Sequence, residues 1–408
     1  MSRKSYRPMQ DPAGVTRREF FKTVGLGAAA AGGIVLGVPA FGQEAAKPAA
    51  PPPPVETNLA DFLKAPKTAH SLPGPFPGKV VQLVDPKCLV DDKPQAAVIR
   101  EMFTKGLTSL TGKDSKESFG LFFTKDDVVG IKINPVGPPL ICVKPELVEA
   151  IIDWLTANGL PRERIVIWDR FDYMLKDAGY TAERFPGVQI AGLQTMDEEG
   201  NKWRTADGRH VSEDNFDRNV YYFAKGVEGK GVPGYPNDEF YLNQHVFAGE
   251  YSYFGKLLTQ KLTKIINVAV FKNTGNGISM ATKNLGYGAI CNTGRLHKPL
   301  FFHVCTEVLA APVIRDKLVL NVTDGIRGQY EDGPMPNPKY VYPLHTLYLA
   351  TDPFALDMIG HRQMVEKRKA MGITVNEHPR FTEYLRQAQQ IGLGVTDPDK
   401  IRLVKVEA

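Results

Sequence analysis

Val128-Val129-Gly130-Ile131-Lys132-Ile133, then Lys144–Asn158, then Arg164-Ile165-Val166-Ile167-Trp168, decide the fold class. The first and last are short apolar runs rich in β-branched residues, the composition of strands buried on both faces. Between them Leu147, Val148, Ile151, Ile152 and Leu155 recur at helical spacing. Pro145 suits the first helical position, and Gly159 and Pro161 stop the helix. Strand, helix and strand of these lengths describe a parallel βαβ crossover.

The same rhythm continues on both sides. Lys79–Val84 reads as a strand and Gln95–Leu110 as a helix. Further along, Ile265–Phe271, Lys317–Val322 and Leu347–Thr351 read as strands, and a helix is expected near Phe301–Ala310. Asp352-Pro353 looks like an N-cap and first helical residue, leading into a helix that ends about Lys369. Alternating elements predict one α/β domain over residues 78–408, a layered α/β/α arrangement with a mainly parallel central sheet. Residues 195–260 break the alternation. They are rich in Asp, Asn, Gly, Tyr and Phe, with turn signals at Asp207-Gly208 and Pro233-Gly234. We read them as an irregular insertion, a cap with small hairpins that carries the aromatics Trp203, Tyr221, Tyr222, Phe223, Tyr235 and Tyr241.

The N-terminus has a separate logic. Thr16-Arg17-Arg18-Glu19-Phe20-Phe21-Lys22 stands ahead of a Gly/Ala-rich apolar run from Thr23 to Phe41. Paired arginines followed by a mildly apolar stretch form a twin-arginine signal, expected over residues 1–42. This predicts a periplasmic or extracellular protein whose first partner is the twin-arginine translocation machinery. Ala40-Phe41-Gly42 offers a cleavage site, and an uncleaved inner-membrane anchor is the alternative. Residues 43–77 are expected to be an Ala/Pro-rich linker, with four consecutive prolines at 51–54. Nothing downstream is apolar over a length that spans a bilayer, so no transmembrane domain is expected in the mature protein.

Charge excludes one class of partner. The formal net charge is +5, but the first 42 residues hold six Lys/Arg and two acids. The rest is close to neutral, which gives no support to nucleic-acid binding. None of Cys88, Cys142, Cys291 and Cys305 sits in a C-x-x-C pair, so no iron–sulfur cluster is expected. Cys291 and Cys305 are the nearest pair for a disulfide; buried free thiols are the alternative.

Polar residues fall where the proposed strands end. Lys132 and Asn134 close the Val128 run, Asp169 follows Trp168, Lys272-Asn273 follow Phe271, Asp324-Gly325 follow Thr323, and Asp352 follows Thr351. In open parallel sheets ligands bind outside the carboxyl ends of the strands. Lys132 inside an apolar run requires a partner, either a carboxylate of this chain or an anion from outside. Asp352 is equally well explained as a cap, and Asp324-Gly325 as a turn. Phe271 to Gly288 is dense in Gly, Asn and Lys, with Lys272, Lys283 and Asn284 around a short helix start near Ser279. That is the chemistry of an oxyanion site, without the spacing of a P-loop; a solvated Gly/Asn loop is the alternative. A divalent metal could be assembled from separate strand ends, with Asp169, His297, Asp324, Asp352 and Asp357 as candidates. His297 and His303 are six apart and interrupted by Pro299, so they share no helix face.

Val129-Gly130-Ile131-Lys132-Ile133-Asn134 with the following βαβ unit resembles the domain-of-unknown-function 362 family. So do Lys272 through Thr282-Lys283-Asn284-Leu285-Gly286, His297 downstream, Asp324-Gly325, and Asp352-Pro353-Phe354-Ala355-Leu356-Asp357. The resemblance covers about residues 78–370. Family members often show Lys-x-His near the position of Lys272, where this chain has Lys272-Asn273-Thr274, and some carry ferredoxin-like cysteine motifs absent here. The resemblance implies that Lys132, Asn134, Lys283, Asn284, Asp324 and Asp357 act together, and it supplies no reaction.

Two functions are expected. The first is an exported enzyme acting on a small anionic carboxylate or phosphate. There Lys272, Asn273, Lys283, Asn134 and Asn284 hold the ligand, Lys132 polarises the reacting group, and Asp324 and Asp357 serve as acid/base groups or metal ligands. The alternative is a non-catalytic binding protein for an anionic ligand or a protein partner. An electron-transfer role is disfavoured by the cysteine pattern.

Overall fold

Among the described residues nine strands form the main sheet, and eight helical or strand expectations find their element within a few residues. The structure is a computed structural model that describes residues 55–195, 211–227, 249–297 and 300–407. In chain order the sheet strands are β1 (Lys79–Val84), β2 (Val129–Lys132), β3 (Ile165–Phe171), β4 (Gln189–Gln194), β5 (Lys264–Thr274), β6 (Gly277–Ser279), β7 (Leu318–Gln329), β8 (Val341–Ala350) and β9 (Arg402–Glu407). Their spatial order is β9-β1-β8-β7-β5-β2-β3-β4, with β6 folded back on β5. The pairs β7–β5, β5–β2, β2–β3, β3–β4 and β1–β9 are parallel. Strand β8 is antiparallel to both neighbours, β1 and β7.

Helices cover both faces. On one side α1 (Ala96–Thr111) and α2 (Pro145–Ala157) lay Ile99, Met102, Phe103, Leu147, Ile151 and Leu155 on Val81, Leu83, Ile131, Ile167, Val268 and Leu349. On the other, α3 (Ala281–Gly288) and α4 (His303–Ala310) place Leu285, Val304 and Val308 against Val166, Trp168 and Ile265. Beside them α5 (Pro353–Ala370) packs Ala355, Leu356 and Ile359 on Val80, Tyr348 and Ala350. Complete burial of a large aliphatic or aromatic side chain contributes about 1.5–3 kcal/mol, so these two apolar layers supply the main stabilising term. The layered α/β fold with a mainly parallel sheet is therefore the one the sequence predicts.

Two expectations change. The linker was expected to run to residue 77, but residues 55–77 belong to the folded body. Leu59–Lys64 is a helix with Phe62 buried, and Leu72 is fully buried. The buried Arg315 guanidinium holds this strap by donating to the carbonyls of Phe62, Ala65 and Pro66. The Ala/Pro tract itself, like residues 1–42, lies outside the described residues. In the 195–260 insertion, Phe216–Phe223 and Tyr251–Gly255 pair as an antiparallel two-stranded sheet, while both turn signals and Trp203, Tyr235 and Tyr241 lie outside the described residues. Among the described residues no helix is long and apolar enough to cross a membrane.

Candidate functional site

Lys132 ends β2 and is 1% exposed. Its ammonium meets Asp169 Oδ1 at 2.6 Å and also donates to Asn284 Oδ1 and the Ile133 carbonyl, both at 2.8 Å. The partner that burial demanded is thus a carboxylate of this chain. Desolvation pulls the amine's pKa down, and the Asp169 charge opposes that pull. Gly288, at the end of α3, makes room for the pair: a Cβ there would collide with Lys132 Cε. From Asn284 a file of buried amides continues across the sheet. Asn284 Nδ2 donates to Asn267 Oδ1 at 2.8 Å, Asn267 Nδ2 to Asn321 Oδ1 at 2.9 Å, and Asn321 Nδ2 to the Thr351 carbonyl at 3.1 Å.

Lys272, near the end of β5, is also 1% exposed, but its surroundings differ. Its Nζ donates to Asn134 Oδ1 at 3.2 Å and to the Val136 carbonyl at 3.3 Å, and among the described residues it touches no carboxylate. Burial first, and then the neighbouring Lys283 charge, bring its pKa down to about 7. Lys283 rises from α3 and is partly exposed. Its Nζ lies 4.9 Å from the Tyr287 ring centre and 5.3 Å from that of Phe301, with no carboxylate or hydrogen-bond acceptor among the described residues. Desolvation lowers its pKa as well. Asn134 therefore does face a lysine of the site, while Asn284 is committed to Lys132.

Asn273 is a loop organiser rather than an open ligand group. Its Nδ2 donates to the Gly275 carbonyl and its Oδ1 accepts from Gly333 N–H, each at 2.9 Å. That contact seats the loop after β7 beside Lys272, where Pro336 reaches the Gly137 backbone of the loop after β2. Gly137 has φ +93° and no space for a side chain, so this seam depends on glycine.

The aspartates have other work. Asp357 accepts from Ala281 N–H at 2.8 Å, Thr282 N–H at 3.0 Å and the Thr282 hydroxyl, so it occupies the N-terminus of α3. The oxyanion position expected at that helix start is filled by the protein's own carboxylate. Asp352 caps its own helix α5, accepting from Phe354 and Ala355 N–H at 3.0 Å, and also ties down Gly78 and Val395. Because β8 runs against its neighbours, Asp352 lies at the amino ends of the parallel strands, remote from Lys272 along the sheet. Asp324 accepts from Lys144 N–H at 2.7 Å, just ahead of α2, and from Ile326 N–H at 3.0 Å. All three are engaged at helix starts or turns. Burial is the leading cause that raises their pKa values, to about 6 for Asp352 and about 7 for Asp357.

The five metal candidates consequently do not meet. Asp169 belongs to Lys132, the three other aspartates to backbone amides, and His297 packs on Tyr287 with centroids 4.6 Å apart and the rings tilted by 50°, while its Nδ1 faces the Thr293 carbonyl. No group of three or more His, Cys, Asp or Glu suited to a metal occurs among the described residues. The four cysteines are free and buried.

Sequence reasoning missed Asn267 and Asn321, although each interrupts an apolar strand as Lys132 does, and that same signal would have found them. It also missed Lys144, which is 6% exposed and donates to the Pro139 carbonyl at 2.6 Å. Its place directly before Pro145 gave only a helix-boundary reading.

Fold and site together define a layered α/β protein with lysines gathered at the carboxyl ends of a parallel sheet. Residues 243–362 match the family model described as Domain of unknown function (DUF362). That stretch includes Lys272, Lys283, Asp324 and Asp357; Lys132 and Asn134 lie before it. No curated protein matches the chain.

Proposed function

We propose that the protein is an exported enzyme acting on a small anionic molecule at the Lys272–Lys283 end of the sheet. One observation carries this reading: the buried Lys272 feels the charge of the partly exposed Lys283, and neither has a carboxylate partner among the described residues. Enclosing like charges without an acid is costly, and a carboxylate or phosphate entering between them removes that cost. Lys132, neutralised by Asp169, positions Asn284 and the end of α3. Asp324 and Asp357 hold the helices that frame the site. Export rests on the Arg17-Arg18 pair and the Gly/Ala-rich apolar run from Thr23 to Phe41 that follows it.

Calorimetry with phosphate, lactate and other small carboxylates tests the site. Lys272→Met and Lys283→Met are expected to weaken the best ligand at least about tenfold, equal to about 1.4 kcal/mol. Unchanged affinity in both folded variants would remove the site assignment. Conversion of the bound ligand, followed by NMR, separates the enzyme from a binding protein, which would return its ligand intact.

A further inference from the structure

The two hydrogen bonds of Lys272 specify more than a charge. A neutral amine carries two N–H bonds, and here each has a neutral oxygen to receive it, Asn134 Oδ1 and the Val136 carbonyl. The lone pair is then the one feature of the nitrogen left for an incoming atom. Lys132 is the contrast within the same sheet: a carboxylate at 2.6 Å holds its proton and consumes its charge. Lys272 instead has the cationic Lys283 as its foremost charged neighbour, ahead of Asp169 and Lys132, whose charges act on it in opposite directions, and a side chain enclosed by protein. Desolvation beside another cation is the arrangement that turns a lysine into a nucleophile.

We propose that Lys272 forms an imine with a small oxo acid, a molecule bearing an aldehyde or ketone close to a carboxylate, whose carboxylate meets Lys283. This rests on the anion-site reading above and adds the substrate class and the first chemical step. The Nζ lone pair attacks the carbonyl carbon, and the carbonyl π pair becomes a hydroxyl using a proton from the amine. The carbinolamine then loses water as the C=N bond forms. Amine and carbonyl give imine and water, with no oxidant or reductant. A pKa brought down to about 7 supplies the unprotonated amine at neutral pH.

The test uses the purified full chain with glyoxylate or pyruvate and sodium cyanoborohydride, read by intact mass and peptide mapping. One reduced adduct per chain, mapping to Lys272 and suppressed by lactate, is expected, and none in Lys272→Met. The trapping rate of the wild type should rise about tenfold per pH unit below about 7 and level off above it, a profile that needs no variant and that a surface lysine would not show. An adduct on other lysines, or a rate still rising at pH 9, overturns the imine. If lactate or phosphate binds while no adduct forms, the imine fails and the anion site stands. If none of the probes binds, both readings fail.

Discussion

Lys132 and Lys272 are the same residue type, equally enclosed, on the neighbouring strands β2 and β5, and their partners make them different groups. Removing the charge of Lys132 leaves Asp169 buried and unpaired, so Lys132→Met is expected to cost about 3–5 kcal/mol in urea unfolding. Lys132→Met combined with Asp169→Leu should recover much of that loss; a single variant as stable as the wild type would show that the pair contributes nothing. The need for a partner at Lys132 was legible from one lysine in an apolar run. The partner's identity was not, because Asp169 reaches it only through the parallel pairing of β2 with β3. Lys272 looked the same in sequence, and that no acid among the described residues meets it is a fact of three dimensions.

At the scale of elements, three aspartates expected to do chemistry instead hold helix starts. Asp352 was readable as a cap because its amides follow within three residues. Asp357 was not, since the Ala281 amide lies 76 residues away, and Asp324 was readable only as the turn it makes with Ile326, since the Lys144 amide at the helix start lies 180 residues away. Asp357 also predicts a pH effect. Its folded pKa, about 7, is above that of an unfolded aspartate, so between the two values the folded state binds more protons. Stability from this group is therefore greatest below the window and declines as pH rises from about 4 to about 7. The difference in urea midpoint between wild type and Asp357→Asn should follow that slope; a pH-independent difference would refute the assignment. The antiparallel course of β8 was equally hidden. Its apolar pattern matches that of the parallel strands, and only the connection after β7 sets its direction.

For the whole molecule, the layered α/β class followed from the alternation of elements, whereas the strap at 55–77 did not, because Pro and Ala between the signal and Gly78 read as a tether. Arg315→Met leaves three strap carbonyls without their donor, and a loss of about 2–5 kcal/mol is expected, with faster tryptic cleavage at Lys64 and Lys67. Unchanged cleavage would mean that Arg315 does not hold the strap. Export is tested by replacing Arg17 and Arg18 with lysine together: the protein is expected to remain folded in the cytoplasm, and its appearance in the periplasmic fraction would reject the twin-arginine reading.

The pairing of β1 has a consequence for the order of synthesis. This strand leaves the ribosome first among the nine, yet both its neighbours, β8 and β9, are made near the other end of the chain. Until translation has passed Glu407, the edge of the sheet at Lys79–Val84 has no completed hydrogen-bond ladder. A nascent or prematurely stopped chain that lacks Val341–Ala350 and Arg402–Glu407 thus exposes both edges of Lys79–Val84 as an open template for pairing with another chain.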